Sequence, residues 1–575
     1  MNEINAGAAF EAASTGAGRT GAQILVDNLR VHGVKRAFCV PGESYLAVLD
    51  ALSDVKEEIE LVVCRHEAGA ANMAEAHGKL TGEPGICFVT RGPGATHAST
   101  GVHTAFQDST PMILFVGQVA RGHSGREAFQ EIDYRAMFGT LAKWVMEIED
   151  PARVPEFIAR AFQTATSGRP GPVVVALPED MLTEAVAEAP RVARYSRAEA
   201  APRADAMAEL GRMLAAAERP LVMLGGGGWT EAARKDVRAF AEAFGLPVTV
   251  SFRSQRLFDN RHPLYAGHVG VGIDPALAAR VKAADLLVAV GPRLGEATTG
   301  GYALLDPPRP AQRLVHVHPG AEELGSVYQA DLMINSGMAS FAEALRVLAP
   351  PAARPWAAWA ETAHADYLAF ITPPERPDLA GVDMGEVMRH IRETLPEGAT
   401  LCNGAGNYAT WVHRFYPYPD FLSQLAPTSG AMGYGLPAAI AAALECPDRR
   451  ILCFGGDGCF LMSAHELATA ARHRLPIMSI VVNNGAYGTI RMHQEMRYPY
   501  RVHGTDLANP DFVTLARAYG AHGERVVETA QFPGAFARAL ACEGPSLIEV
   551  VTDIAAVTPQ KSLDAIRGTK AHARS

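Results

Sequence analysis

At 575 residues, with 48% hydrophobic and 20% charged residues and a formal net charge of −10, the chain has apolar material for three or four domains, each with its own core. No basic stripe points to nucleic acid, and no apolar run approaches the length of a membrane span, so neither nucleic acid nor membrane is expected as a partner. The start of the chain has Glu3 and Glu11 among Ala and Gly rather than a basic stretch before an apolar core, and the eight cysteines include no CxxC pair, which together predict a reducing, cytoplasmic setting.

Residues 1 to about 18 read as a mobile tail of small residues. An amphipathic helix (Ala22 to His32), a strand (Ala37 to Val40), the turn Pro41-Gly42-Glu43, a helix and a strand (Glu60 to Cys64) follow, and the apolar runs GICFVT, MILFVGQV and PVVVAL extend the alternation. That pattern predicts a mostly parallel sheet covered by helices, ending near Glu184 at a linker rich in Ala, Pro and Arg. Glu67 stands in the first turn of a helix opened by Arg65-His66, where an acid ordinarily serves the helix dipole. Gln118 follows Val-Gly at a strand end, Phe129-Gln130-Glu131 lies in a loop, and Lys143 lies in TLAKW. Read alone, these are a strand-end amide, a loop aromatic and a solvated lysine. His97, His103 and His123 lack the tight spacing of a metal site.

The middle region, about 203 to 346, starts with a helix (Ala204 to Ala217) and a strand ending in Gly225 to Gly228, then a helix from Glu231 to Phe244. The glycine run lacks GxGxxG spacing and the acid about twenty positions on that a dinucleotide fingerprint requires. A Pro- and Ala-rich linker is expected over about 349 to 380. Beyond it come a helix (Met384 to Thr394), the strand TLCNGAGNYATW and the segment SGAMGYGLPAAIAAAL. From Ile451 to Tyr487 an apolar run ends in Gly455-Gly456-Asp457-Gly458, a helix is predicted from about Ser463 to His473, and a second apolar run (Ile477 to Val482) ends in Asn483-Asn484. Strand, glycine turn, helix and strand make a βαβ unit that brings both polar ends to the carboxyl edge of a parallel sheet, where such sheets bind ligands. A carboxylate and an amide oxygen there suit Mg²⁺, and glycine N–H groups at a helix start suit a diphosphate. Past about Lys561 the residues read as a loose tail.

The GDG at Gly456-Asp457-Gly458 and the NN at Asn483-Asn484, separated by residues 459 to 482, resemble the signature of thiamine diphosphate (ThDP) enzymes. RHEAGAANMAEAHGKLTG with FVTRGPGATHASTGVHTAFQDSTPMILFVGQV is similar to the pyrimidine-binding domain of acetolactate synthases, and the likeness runs over about residues 20 to 555. The resemblance implies three doubly wound α/β domains: pyrimidine-binding (19–185), central (203–346) and diphosphate-binding (380–560). It implies that Asp457, the Asn484 side chain and the Ala486 carbonyl hold Mg²⁺. Asn407 and Tyr408 (with Ala405 and Gly406), Gly456, Gly458, Cys459, Tyr487, Gly488 and Thr489 would contact ThDP; Gly430 would accept from its N4′ amine, and Met432 would wedge it into a bent conformer. Glu67 would hydrogen-bond N1′ of the aminopyrimidine, so that N4′ removes the thiazolium C2 proton. Gln118, Phe129, Gln130 and Lys143 would belong to the substrate entrance.

Two departures stand out. The family's RFDD reads Arg293-Leu294-Gly295-Glu296 here and its strand-end acid is His318, which leaves FAD in the central domain open; and His493 occupies the position of a tryptophan that sizes the acceptor pocket. The implied activity is 2-oxo acid decarboxylation with carboligation, by a homodimer or homotetramer whose smallest active unit is the dimer. The alternatives are a non-decarboxylating lyase or hydrolase of diketones and a catalytically silent scaffold. Substrates would be 2-oxo acids, diketones or aldehydes.

Overall fold

Short apolar runs alternating with helical periods build three six-stranded sheets in which every pairing is parallel. The computed structural model describes residues 18–187, 190, 192–376 and 380–571, so the expected mobile tail lies outside the described residues except for Gly18. The first sheet comprises β1 (Arg36–Cys39), β2 (Glu60–Val63), β3 (Gly85–Val89), β4 (Met112–Gln118), β5 (Trp144–Glu147) and β6 (Pro172–Pro178), in the order β2-β1-β3-β4-β6-β5. The second comprises β7 (Pro220–Leu224), β8 (Val248–Val250), β9 (Tyr265–His268), β10 (Leu286–Val290), β11 (Arg313–His318) and β12 (Leu332–Asn335), in the order β9-β8-β7-β10-β11-β12. The third comprises β13 (Thr400–Asn403), β14 (Gln424–Leu425), β15 (Ile451–Gly456), β16 (Ile477–Asn483), β17 (His522–Val526) and β18 (Ser546–Val551), in the order β14-β13-β15-β16-β18-β17.

The first and third sheets thus repeat one topology. In each, the strand order reverses beside the first strand, which opens a crevice at the carboxyl edge between β1 and β3 and between β13 and β15. Central strands such as Met112–Gln118 are buried along their whole length, which is why they read as unbroken apolar runs.

Two helices of the first domain pack unusually close. Helix α1 (Glu67–Thr81) and helix α2 (Gly92–Asp108) meet through Ala70, Ala71, Ala74, Ala98, Gly101 and Ala105, all buried. A Cβ added at Gly101 would lie 2.4 Å from the Ala71 Cβ and 2.7 Å from its carbonyl carbon. Gly101→Ala should therefore force α1 away from α2 and cost about 1–3 kcal/mol as an overpacked core, read as a lowered unfolding midpoint; an unchanged midpoint would show that the helices can separate freely. A further helix, α3 (Gly435–Glu445), lays AAIAAAL against α1, and Tyr434 Oη donates to the fully buried Glu75 Oε2 at 2.5 Å while Thr110 Oγ1 donates to its Oε1 at 2.8 Å. Burial pushes the Glu75 carboxyl up, and Lys79 at 3.2 Å opposes that shift. The pyrimidine-type domain is in this way locked to the third domain of the same chain.

Three expectations need correction. The 349–380 segment is not a plain linker: it contains the helix Ala357–Phe370, whose Ala360, Ala363 and Tyr367 are buried, with Tyr367 edge-on to Tyr265 at 4.8 Å and the preceding Trp356 donating to the Phe244 carbonyl. Alanine-rich composition concealed an apolar face at helical spacing. The tail past Lys561 also folds, as the helix Leu563–Ala571. Leu563 and Ile566, three residues apart, are buried beside Val557, and Arg567 donates to Glu495 at 2.6 and 3.0 Å. The predicted single helix over Ser463–His473 is instead two pieces, a 3₁₀ turn Ala464–Glu466 and a helix Leu467–Arg472, preceded by a separate short helix Asp457–Leu461. Its break at Ser463 turns the Glu466 carboxylate toward the first domain, where Oε1 accepts the backbone N–H groups of Arg65 and His66 at 3.1 Å.

Candidate active site

At the reversal point of the third sheet, β15 runs directly into a helix that starts at Asp457, with no loop between them. The Asp457 Oδ1 accepts the Gly458 N–H at 2.9 Å, and Asn509 Nδ2 donates to Oδ2 at 2.8 Å. Burial pushes this carboxyl above the ordinary range for aspartate, the largest influence on it, and the hydrogen bonds only partly offset that. A buried carboxylate with no cation beside it is costly, and a divalent ion removes the cost.

The two asparagines at the end of β16 divide their tasks. Asn483 is structural: its Nδ2 donates to Glu549 Oε1 at 2.8 Å, and its Oδ1 accepts from Gly485 N–H and Asn509 Nδ2. Asn484 lines the cavity, its Oδ1 turned to the Ala486 N–H at 3.1 Å. Gly485 takes a left-handed φ of 68°, which bends the chain so that Ala486 returns to the cavity wall.

The result is a cavity of about 250 Å³ lined by every third-domain residue that the resemblance assigned to the metal and the cofactor, from Ala405–Tyr408 through Gly430, Met432 and Gly456–Cys459 to Asn484, Ala486 and Tyr487–Thr489. Its walls are shaped by absent side chains. A Cβ on Gly458 would lie 2.6 Å from the Tyr487 ring, and one on Gly404 would lie 2.6 Å from the Cys459 sulfur. Tyr408 Oη sits 3.4 Å from that sulfur, and Thr489 Oγ1 donates to Asn407 Oδ1 at 2.8 Å. Asn509 Oδ1 is buried with no hydrogen-bond partner among the described residues. Hard oxygen donors from Asp457, Asn484 and Ala486, glycines at a helix start and the apolar Met432 in one wall fit a metal-bound diphosphate carrying an aromatic head.

Sequence reasoning missed further parts of this wall, among them Arg376, Asp383 and Val557, which come from segments at the two ends of the third domain. It also missed Asn509, which does not line the cavity but holds Asp457 through its side-chain amide. Only Asn509 left a trace, since Asn509-Pro510 before the N-cap Asp511 marks a turn.

No residue of the first domain lines that cavity. Glu67 lies elsewhere, as the first residue of α1 and with 13% of its side chain exposed, and accepts from His97 Nδ1 at 2.9 Å. Phe129 is 72% exposed, and Gln130 has a left-handed φ of 65° with its carbonyl accepting the Gly92 N–H. His493 is exposed on the helix Gly488–Arg497, away from the cavity wall to which that helix contributes Ile490.

Two residues expected at the substrate entrance have hydrogen-bond partners within the first domain. Gln118 is buried; its amide donates to the Ile132 carbonyl and Glu147 and accepts the Val119 N–H, which ties it to the 129–132 loop. Lys143 precedes β5 at the amino edge of the sheet, opposite Glu67, and its ammonium donates to the carbonyls of Thr164 and Ser167 at 2.5 and 2.7 Å. Burial pushes it down to about 8.

A second cavity, of about 390 Å³, opens at the reversal point of the central sheet between β7 and β10. Gly226 there could carry no side chain, since a Cβ would lie 2.0 Å from the Gly291 carbonyl oxygen. Arg197, Arg253, Arg256 and Arg293 line this cavity, and the Arg253 Nε is buried without a partner. His318 is buried, accepts the Gly320 N–H at 3.1 Å and is pushed down to about 4 by desolvation.

Comparison with known proteins agrees with this architecture. Residues 19–137 match the thiamine pyrophosphate enzyme N-terminal TPP binding domain, 207–345 the central domain and 404–550 the C-terminal TPP binding domain; thiamine pyrophosphate is another name for ThDP. The acetolactate synthase large subunit of Parasynechococcus marenigrum is 33% identical over 92% of this chain and 87% of its own length. The acetolactate synthase isozyme 2 large subunit of Escherichia coli is 30% identical over 93% of this chain and 95% of its own. The probable acetolactate synthase large subunit of Methanocaldococcus jannaschii is 30% identical over 94% and 93%. With three matching domain models, full-length relatives and a cavity of the required chemistry, the chain belongs to the thiamine pyrophosphate enzymes and is of the acetolactate synthase large-subunit type.

Proposed function

We propose that this protein decarboxylates a 2-oxo acid and joins the remaining fragment to a second carbonyl compound, using ThDP and Mg²⁺. The observation that carries the reading is the Asp457 cavity, whose lining brings together Asp457, Asn484 and Ala486, the glycines at a helix start and the apolar Met432. Asp457, Asn484 and Ala486 would hold Mg²⁺, while the backbone of Gly456 and Gly458 neutralises the diphosphate. The Gly430 carbonyl would accept from the N4′ amine and Met432 would bend the cofactor, so that its reacting groups meet without an entropic search. When bound, ThDP supplies the electron sink for the pair left by the departing carboxylate. Glu67 would keep a proton at N1′ of the aminopyrimidine. With Gln118 and Lys143 engaged elsewhere, Phe129 and Gln130 remain as candidates for the entrance, and His493 for the acceptor pocket where it faces a partner subunit.

The silent-scaffold alternative conflicts with the presence of Glu67, Asp457 and Asn484 together. The diketone-cleaving alternative draws no support from the relatives, whose names are those of synthases. Product analysis by NMR after incubation with pyruvate and a panel of 2-oxo acids, diketones and aldehydes tests the reading. Release of CO₂ with a 2-hydroxy ketone or acetohydroxy acid supports it; turnover of diketones alone would replace it.

A dimer is the smallest active unit in this proposal, because Glu67 and the Asp457 cavity of one chain do not meet. Leu46 and Phe129 on the first domain and Met462, Ile490, Met496, Tyr498 and Tyr500 on the third are exposed large apolar side chains, surfaces that a partner would cover. Hybrids of Glu67→Gln and Asp457→Ala chains, tagged differently and isolated as the doubly tagged species, should regain about half of wild-type activity, since two-fold symmetry leaves one of the two sites intact. A hybrid as inactive as both parents would mean that each chain holds its own cofactor. Pairing of dimers into a tetramer and a cytoplasmic setting belong to the same reading. FAD is proposed for the central cavity, whose four arginines fit its diphosphate.

A further inference from the structure

Glu67 makes a single side-chain hydrogen bond among the described residues, from His97 Nδ1 to Oε2 at 2.9 Å, and Oε1 accepts none. Its own helix start does not hold it, since the capping contact there is made by His66, whose Nδ1 accepts the Ala68 N–H at 3.1 Å. A glutamate has three rotatable side-chain bonds, so a carboxylate tethered nowhere would sample several orientations. The tether is itself fixed. The His97 ring, carried on α2, stacks on His66 at 4.5 Å with an interplanar angle of 30°, and His66 is in turn tilted against His465 at 5.5 Å. No other nearby group competes for the His97 donor: the Glu466 oxygens accept from the Arg65 and His66 backbone N–H groups and from Thr469 Oγ1 at 2.6 Å. The α1–α2 contact through Ala71 and Gly101 sets the distance between the two helices that carry Glu67 and His97.

We propose that His97 is a positioning residue for Glu67: its Nδ1–H holds Oε2 and leaves Oε1 directed at the aminopyrimidine N1′ of the cofactor. The proposal rests on the reading of Glu67 as the N1′ partner. It assigns to His97 a task in orienting a carboxylate, with no contact of its own to the reacting atoms. The tautomer follows from the geometry, because a carboxylate can only accept, so the proton sits on Nδ1.

The test compares His97→Ala, His97→Phe and His97→Asn, each alone and combined with Glu67→Gln, by deuterium exchange at C2 of the bound cofactor and by calorimetric affinity for ThDP with saturating Mg²⁺. Removing the donor with Ala or Phe should slow exchange about 10-fold or more, while the ThDP Kd stays within about 3-fold of wild type, because the loss falls on orientation and not on the diphosphate site. Asn, whose side-chain amide can donate, should restore exchange to within about 3-fold of wild type. In the Glu67→Gln background the same His97 changes should alter exchange by less than about 2-fold, the non-additivity expected of residues that act as one unit. His97→Phe keeps the stack on His66 and removes only the donor, so it decides the matter if the Ala variant unfolds. Wild-type exchange in His97→Phe, or an equal loss with and without Glu67, overturns the proposal. If Glu67→Gln alone exchanges at the wild-type rate, the reading of Glu67 has failed instead.

Discussion

Asp457→Ala should abolish Mg²⁺-dependent binding of ThDP while the apo protein keeps its stability. The two effects have opposite origins. In the holo enzyme the carboxylate would hold the metal that neutralises the diphosphate, and deleting one partner of such a buried charged set costs about 3–5 kcal/mol, roughly 10²- to 10⁴-fold in affinity. In the apo protein the same carboxylate is only 3% exposed as a residue and is pushed up by desolvation, so its removal relieves a cost. The Gly458 N–H and Asn509 Nδ2 would lose their acceptor, which opposes that relief. The unfolding midpoint of apo protein should therefore shift little, while calorimetry shows ThDP binding lost. Retained, chelator-insensitive affinity would reject Asp457 as the metal ligand.

Glu67→Gln should leave ThDP bound but reduce turnover by roughly 10²- to 10⁴-fold, the usual worth of a positioned acid or base. Gln matches Glu in size and can still accept from His97 Nδ1, so the local packing is preserved. What it cannot do is exchange a proton with N1′. Affinity should survive because Glu67 is no part of the Asp457 cavity wall. An unchanged rate of C2 proton exchange would remove Glu67 from the mechanism.

The cavity around Asp457 was legible because its parts are local. One βαβ unit from Ile451 to Asn484 carries Asp457, Gly458 and Asn484, and the register of β15 with β16 brings both strand ends to one edge. The spacing alone specifies that juxtaposition. Val557 and Asn509 were hidden because long-range folding of loops that carry no period brings the first to the cavity wall and the second to Asp457. The hydrogen-bond partners of Gln118 and Lys143 were not legible for a different reason: residue type and position along a strand do not reveal where an amide or ammonium finds its partners. In Lys143 the backbone carbonyls of Thr164 and Ser167 won the ammonium, and the amino edge of the sheet put it out of reach of Glu67. The helices Ala357–Phe370 and Leu563–Ala571 were misread as linker and tail because small or basic residues dominate them, while two or three buried side chains in each decide the packing. Composition averages such positions away. His97 was visible only as one of several histidines until α1 and α2 came together beside Glu67.

The central claim, that this chain binds ThDP through Mg²⁺ and activates its C2 position, is tested most directly by deuterium exchange at C2 of the cofactor bound to wild-type protein, with Mg²⁺ and after chelation. The account predicts exchange at least about 10²-fold faster than in free ThDP, the scale of positioned acid–base catalysis, and loss of that acceleration together with binding when the metal is withdrawn. Bound cofactor that exchanges no faster than free ThDP, or tight binding indifferent to chelation, would contradict it.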